Sequence, residues 1–326
     1  MRRFWNVFKR LCAKYPAIFY FFYGRRSEVL PPAARNLLID GTWFRLHQLK
    51  YFFRDRVWKR PYKVIDWHGE FGAEIKWAVP FAYWHHLNGT LKKTISSKDT
   101  KHFYYFSQDH TEIDRQRKYL TTPEVPNSED HNFEYDLSKW ERVPFREKYA
   151  NQLGITFEKP LLIISNKYNT EWSKGPVNFL DLDALIQICR MVDPDYQICY
   201  NRPGSSLISE DNSSILDLDE KAPLKLQFPD LILAEDLYHQ HKSRFHTFNH
   251  FQLALYANCK HFISVQGGNS VLCSYFGGTN IVFAKQGAEL LFNECENFYR
   301  TLAGAKVVVS QDVPRLIELI EDNLLD

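Results

Sequence analysis

The stretch HFISVQGGNSVLCSYFGGTNIVF, residues 261–283, carries an apolar run of strand type at each end. Between the runs lie a glycine-bearing turn and a short amphipathic segment. Strand, glycine turn, helix and second strand in that order make the βαβ unit of a parallel sheet. The turn, Gln266 to Ser270, falls where strand gives way to helix. Backbone N–H groups at a helix start are unpaired and carry positive partial charge, which suits an anion. This segment therefore predicts a fold class and a kind of ligand together.

The same alternation extends in both directions. YKVIDWHGEFGAEIKWAVPFAYWHHL (62–87) reads as strand, glycine turn and helix, and KHFYYFSQD (101–109) predicts the next strand. Residues 110–150 are polar and irregular, with Pro123, Pro126, Asn127 and Pro144, and predict a long loop. KPLLIISNKYN (159–169) is a strand of the buried type, and Leu182, Leu185, Ile186, Cys189 and Val192 fall at helical spacing. YQICYNRPG (196–204) is a strand and turn, and Phe248–Cys259 a helix leading into the quoted unit. AKVVVS (305–310) is a last strand, followed by a helix over 312–325 with Asp312 as N-cap and Pro314 in its first turn. The expected fold is α/β: two Rossmann-like domains, 1–155 and 156–326, with parallel sheets facing a central cleft.

Composition fits a soluble globular chain, with 44% hydrophobic and 25% charged residues. The net charge of +2 conceals an asymmetry: residues 1–63 hold 15 basic and 3 acidic side chains, so the remainder is acidic. A local positive charge on an acidic body is unlike a nucleic-acid groove, and nucleic acid is not an expected partner. Residues 1–26 contain seven basic residues, no acid and several aromatics. The run 17–23 is too short to span a bilayer and lacks a small-residue cleavage site. Two readings of this lead stay open, a helix resting on an anionic membrane surface and a basic face packed on the domain. The six cysteines lie apart with no C-x-x-C pair, most of them in apolar segments. They suggest a reducing compartment, so a cytoplasmic protein, peripherally membrane-bound if the lead is an anchor.

Chemistry concentrates at strand ends. In DWHGEFGAEIKWAVP (66–80), Gly69 and Gly72 permit a tight turn, while Glu70 and Glu74 stand beside them. A carboxylate in a first helical turn is stabilised by the helix dipole, and a partly enclosed one can deprotonate an alcohol. Glu74 is the first candidate base and Glu70 the second, with His68 and Asp66 behind them. Lys167 and Arg202 follow strand ends and can neutralise a phosphate group. Tyr168, Asn169, Glu171 and Trp172 share the Lys167 loop, and Glu289 suits ribose hydroxyls. Asp181/Asp183 and Asp217/Asp219 form D-x-D triplets. The first pair opens a helix, where capping explains it, and the second is the better candidate for a divalent cation.

The turn G-x-x-G followed by an acid, with Pro80 further along the helix, resembles the acceptor-side loop of inverting GT-B glycosyltransferases, heptosyltransferase-like and fucosyltransferase-like members among them. FISVQGGNS resembles their donor-side turn. The heptosyltransferase-like pattern has Gly-Asp where this chain has Gly72-Ala73-Glu74, so the choice between Glu74 and Glu70 stays open. The resemblance implies a nucleotide-sugar co-substrate bound by Gln266, Gly267, Gly268, Asn269 and Ser270, a glycan or glycolipid acceptor, and no metal. Two other classes remain: a non-catalytic module docking on membrane or nucleic acid, and a metal-dependent GT-A enzyme using Asp217 and Asp219.

Overall fold

The computed structural model describes residues 7, 32–131, 135–172, 175–208 and 213–325. The basic lead 1–26, apart from Val7, lies outside them. The fold is α/β with two parallel sheets. The smaller has three strands in the order β1 (Lys63–Asp66), β2 (Leu91–Ser97), β3 (His110–Ile113). The larger contains β4 (Leu161–Ser165), β5 (Gln197–Asn201), β6 (Ile232–Leu233), β7 (His261–Val265), β8 (Thr279–Phe283) and β9 (Lys306–Ser310). Its spatial order is β6-β5-β4-β7-β8-β9, every pairing parallel. Counted from β4 this is 3-2-1-4-5-6, the doubly wound order, whose direction reverses between β4 and β7.

Local sequence explains the larger sheet. LLIIS of β4 is buried at every position, as expected of a central parallel strand covered on both faces. The flanking helices Leu182–Val192 and Val313–Leu324 are capped by Asp181 and Asp312, whose side chains accept from Ala184 N and Arg315 N. Their apolar stripes cover one face of the sheet with Leu185, Ile188, Leu316 and Ile320.

The expected strand at 101–109 is absent. Lys101–Tyr104 is a 3-10 helix, and a further turn closes from Ser107 N to Tyr104 O. These turns send Phe103 and Tyr104 into the core, so the aromatic run marks burial rather than extension. The strand lies upstream in LKKTISS, whose lysines and serines hide it from a hydrophobicity reading.

A second apolar cluster covers the other face of the larger sheet and runs on into the smaller one. Trp77 packs in a triangle with the rings of Tyr135 and Phe298, with centroids 4.7 and 4.5 Å away. The Tyr275 hydroxyl donates to the Ile75 carbonyl at 2.7 Å, and the Arg146 guanidinium donates to the Ala257, Cys259 and Phe276 carbonyls. The His102 ring stacks on His250 at 3.9 Å.

That stack makes a pH prediction. Burial, with His250 and His246 beside it, lowers His102 from 6.5 to about 3, and burial with Lys101 nearby lowers His110 to about 4. Both rings take up a proton more readily in the unfolded chain, so stability falls as pH drops below about 6.5. His131 has the opposite sign. Burial works against its charged form, but Asp130 and a hydrogen bond to Glu294 raise it to about 9. Its contribution is full below the unfolded value and is lost as pH rises through 9. Thermal melting against pH is expected to peak near 6.5. The limb from 6.5 to 5 lies above ordinary carboxylate titration, and it should become shallower in His102→Phe, with His110 carrying part of what remains. An unchanged acid limb in that variant would discard the histidine stack as its cause.

Candidate functional site

The carboxyl ends of both sheets face one cleft of about 780 Å³. Among the described residues, seven of nine strands deliver residues to it from the segments that follow their carboxyl ends. From the smaller sheet come Glu70, Phe71 and Gly72 after β1, Lys98 and Thr100 after β2, and Arg117 and Tyr119 after β3. From the larger come the 166–172 loop after β4, Arg202 after β5, the 266–269 turn after β7 and Glu289 after β8. The β4 and β7 loops flank the point where strand order reverses, which is where doubly wound sheets leave a crevice.

The two glycine turns meet across this cleft. A Cβ on Gly72 would stand 3.5 Å from the Gly268 Cα, and one on Gly268 would stand 2.6 Å from Phe71 Cδ1 and 3.2 Å from Gly72 N. The backbones approach so closely that only glycine at 268 lets them touch. Gly267 has φ 135°, open to glycine alone, and a Cβ there would lie 3.4 Å from Lys167 Nζ. The Lys167 ammonium thus sits over the turn. Glu171 holds it at 3.2 Å, and the same carboxylate accepts from Asn178 N and Nδ2, which fixes the loop. Trp172 lies on that loop in the left-handed region (φ 49°) with its ring exposed at the cleft.

Several expected residues are placed otherwise. Glu74 does not face the cleft: it is fully buried, accepts from the Tyr104 hydroxyl at 2.9 Å and pairs with Arg117 at 2.7 Å. Its role is to hold Arg117, whose other nitrogen donates to the Gly69 carbonyl at 2.8 Å. Glu70, one helical turn earlier, does line the cleft. Gly69 packs on the Trp67 ring and His68 lies off the cleft, so neither supplies a ligand contact there. Ser270 is buried and exchanges hydrogen bonds with Gly267, shaping the turn from inside. Gln266, Asn269 and Glu289 line the cleft, and the Gln266 Oε1 is buried without a partner. Arg202 reaches the cleft, yet its guanidinium is bound bidentately by Glu220 at 2.5 and 2.9 Å and also by Asp217. It is a weaker phosphate ligand than Lys167.

Asp217 and Asp219 do not gather a cation site, because Asp217 is spent on Arg202 and on the Asp219 backbone and neither residue lines the cleft. Among the described residues, the group with metal-ligand spacing is Asp130, His131 and Glu294, which sequence reading missed. Lys76 already supplies a cation there, with its Nζ 2.6 Å from both Asp130 and Glu294. Burial by itself would lower the Lys76 ammonium, but the two carboxylates outweigh it and hold it well above the ordinary lysine value. His131 closes the cluster at 2.9 Å from Glu294. Lys76, Asp130 and His131 also form part of the cleft wall. No sequence signal pointed to this group, since its members come from three distant segments.

The five described cysteines are buried and unpaired. No helix among the described residues is long and apolar enough to cross a membrane. Compared with known protein families, curated proteins and solved structures, the chain has no match.

Proposed function

We propose that the protein is an inverting glycosyltransferase of GT-B-like architecture that moves a sugar from a nucleotide-sugar to an acceptor hydroxyl. One observation carries this reading: two parallel sheets direct the ends of seven strands into a single cleft, with a carboxylate on one wall and a lysine over a glycine turn on the other. Facing sheets supply an acceptor side and a donor side, and the crevice at the strand-order switch is where a nucleotide lies in such sheets.

The mechanism follows from the wall groups. The nucleotide diphosphate lies along Gln266, Gly267, Gly268 and Asn269, where glycine allows close approach. Glu70 removes the proton from an acceptor hydroxyl as its oxygen attacks the anomeric carbon from the opposite face. The bond from that carbon to the diphosphate breaks, and the departing charge develops beside Lys167. Lys167 provides the countercharge from the protein, so turnover is expected to survive a chelator.

Thermal shift tests the donor half. A nucleoside diphosphate at 100 times its dissociation constant should stabilise the protein by about 2.7 kcal/mol. Lys167→Met should weaken that ligand roughly 10- to 100-fold, the worth of a hydrogen bond to a charged group, and leave the parent nucleoside unaffected. Absence of any shift with all common nucleoside diphosphates and sugar nucleotides would remove the reading. Gly268 is unsuitable for this test, because a larger side chain there would push against Phe71 and part the two turns.

A further inference from the structure

The chain from Pro32 to Trp58 is almost continuously helical, and beyond the buried Ile39 and Phe44 its amphipathicity is reversed over residues 45–58. The inward face is largely polar. His47 and Tyr51 bond to Glu124, Gln48 Nε2 donates to the Pro123 carbonyl at 2.7 Å, and buried Asp55 pairs with Lys139. The outward face is apolar: Leu46, Leu49, Phe52, Phe53, Val57 and Trp58 are each 45% exposed or more. Leu49, Phe53 and Trp58 exceed 60%. The Phe53 ring contacts those of Phe52 and Trp58, with centroids 5.6 and 6.4 Å away, forming an exposed aromatic group.

Cations surround this face. Arg45, Arg54, Arg56, Lys59 and Arg60 are all exposed, and among the described residues none is ion-paired. Arg54 and Arg56 lie over the Tyr62 and Trp84 rings instead of carboxylates. The only acid between residues 45 and 60 is Asp55, which is buried. Apolar side chains flanked by unpaired arginine and lysine match a surface with an anionic layer above an apolar interior. A protein partner with so many acids placed around a dry apolar centre is a more demanding match.

We propose that the outward face of residues 45–60 docks the protein on an anionic lipid bilayer, with Phe52, Phe53 and Trp58 entering the headgroup boundary and the five cations over the lipid phosphates. The inference does not depend on the proposed activity. It places the membrane contact in a folded, hydrogen-bonded segment, separate from residues 1–26.

Co-sedimentation of the full chain with vesicles decides it, using equal parts phosphatidylcholine and phosphatidylglycerol against phosphatidylcholine alone. Binding is expected on the anionic vesicles only and should decline as salt rises. Arg54→Ala combined with Arg60→Ala should weaken it roughly 10- to 30-fold, about fivefold per cation. Phe52→Ser, Phe53→Ser and Trp58→Ser together should weaken it by about tenfold or more. Brominated lipid should quench the wild-type protein more than Trp58→Tyr, which keeps the test decisive if the triple variant fails to fold. Three results overturn the proposal: no binding by the wild type, wild-type binding that both variants retain, or a self-association that the aromatic substitutions abolish in place of vesicle binding. The second would assign the membrane to another segment, and the third would assign this face to a second copy of the chain.

Discussion

Glu70→Gln is expected to lower turnover by about 10²–10⁴, the usual cost of removing a general base, with donor affinity unchanged. The amide keeps the size of the side chain but cannot take the acceptor proton. Donor binding should persist because the 266–269 turn and Lys167 belong to the larger sheet, on the opposite wall. Glu74→Gln is the discriminating control. Glu74 is sealed in the core with Tyr104 and Arg117, so its loss should appear as instability from an unpaired buried guanidinium rather than as slow chemistry. Activity per folded molecule is therefore expected to fall sharply in the first variant and only slightly in the second. The reverse pattern would return the base to Glu74 and require the buried carboxylate to become accessible during turnover. Full activity in both would end the proposed mechanism.

Lys76→Met is expected to destabilise the fold by about 3 kcal/mol, because it leaves the buried Asp130 and Glu294 with His131 as their remaining countercharge. The lysine sits in a π-helical turn, Glu74–Ala78, just after the first glycine turn, while Glu294 comes from the other end of the chain. Their contact joins the segments that follow the two sheets at the wall of the cleft. Denaturant unfolding measures the loss as a fall in midpoint at constant slope. Adding Asp130→Asn and Glu294→Gln to Lys76→Met should recover part of the stability, since the stranded charges are then gone. A midpoint unchanged in Lys76→Met would mean the cluster contributes nothing to closure, and a triple variant no better than the single would point to lost packing instead.

Much of the fold was legible in the sequence because its signals are local. The apolar runs at β4, β5, β7, β8 and β9 are strands of a sheet covered on both faces, and Asp181 and Asp312 cap the helices that cover it. The failure at 101–109 has the same origin, since aromatic content reports burial and not backbone direction. For the candidate cleft, the positions of the glycine turns were legible, as was the place of Lys167 at its wall, because strand ends in parallel sheets converge.

By itself, then, the sequence determined an alternating α/β chain with parallel strands and two glycine turns at their carboxyl ends. Periodicity and turn chemistry act over a few residues, and those can be read along the chain. Tertiary structure decided which carboxylate meets the cleft, putting Glu70 at its wall and Glu74 behind it although the two are four residues apart. It also decided that Arg202 is claimed by Glu220, 18 residues on, and that Lys76 finds Glu294 after 218 residues. Whether an ionisable group is a structural partner or a reactive one depends on burial and on the countercharge beside it, and both are supplied by segments far away in the chain.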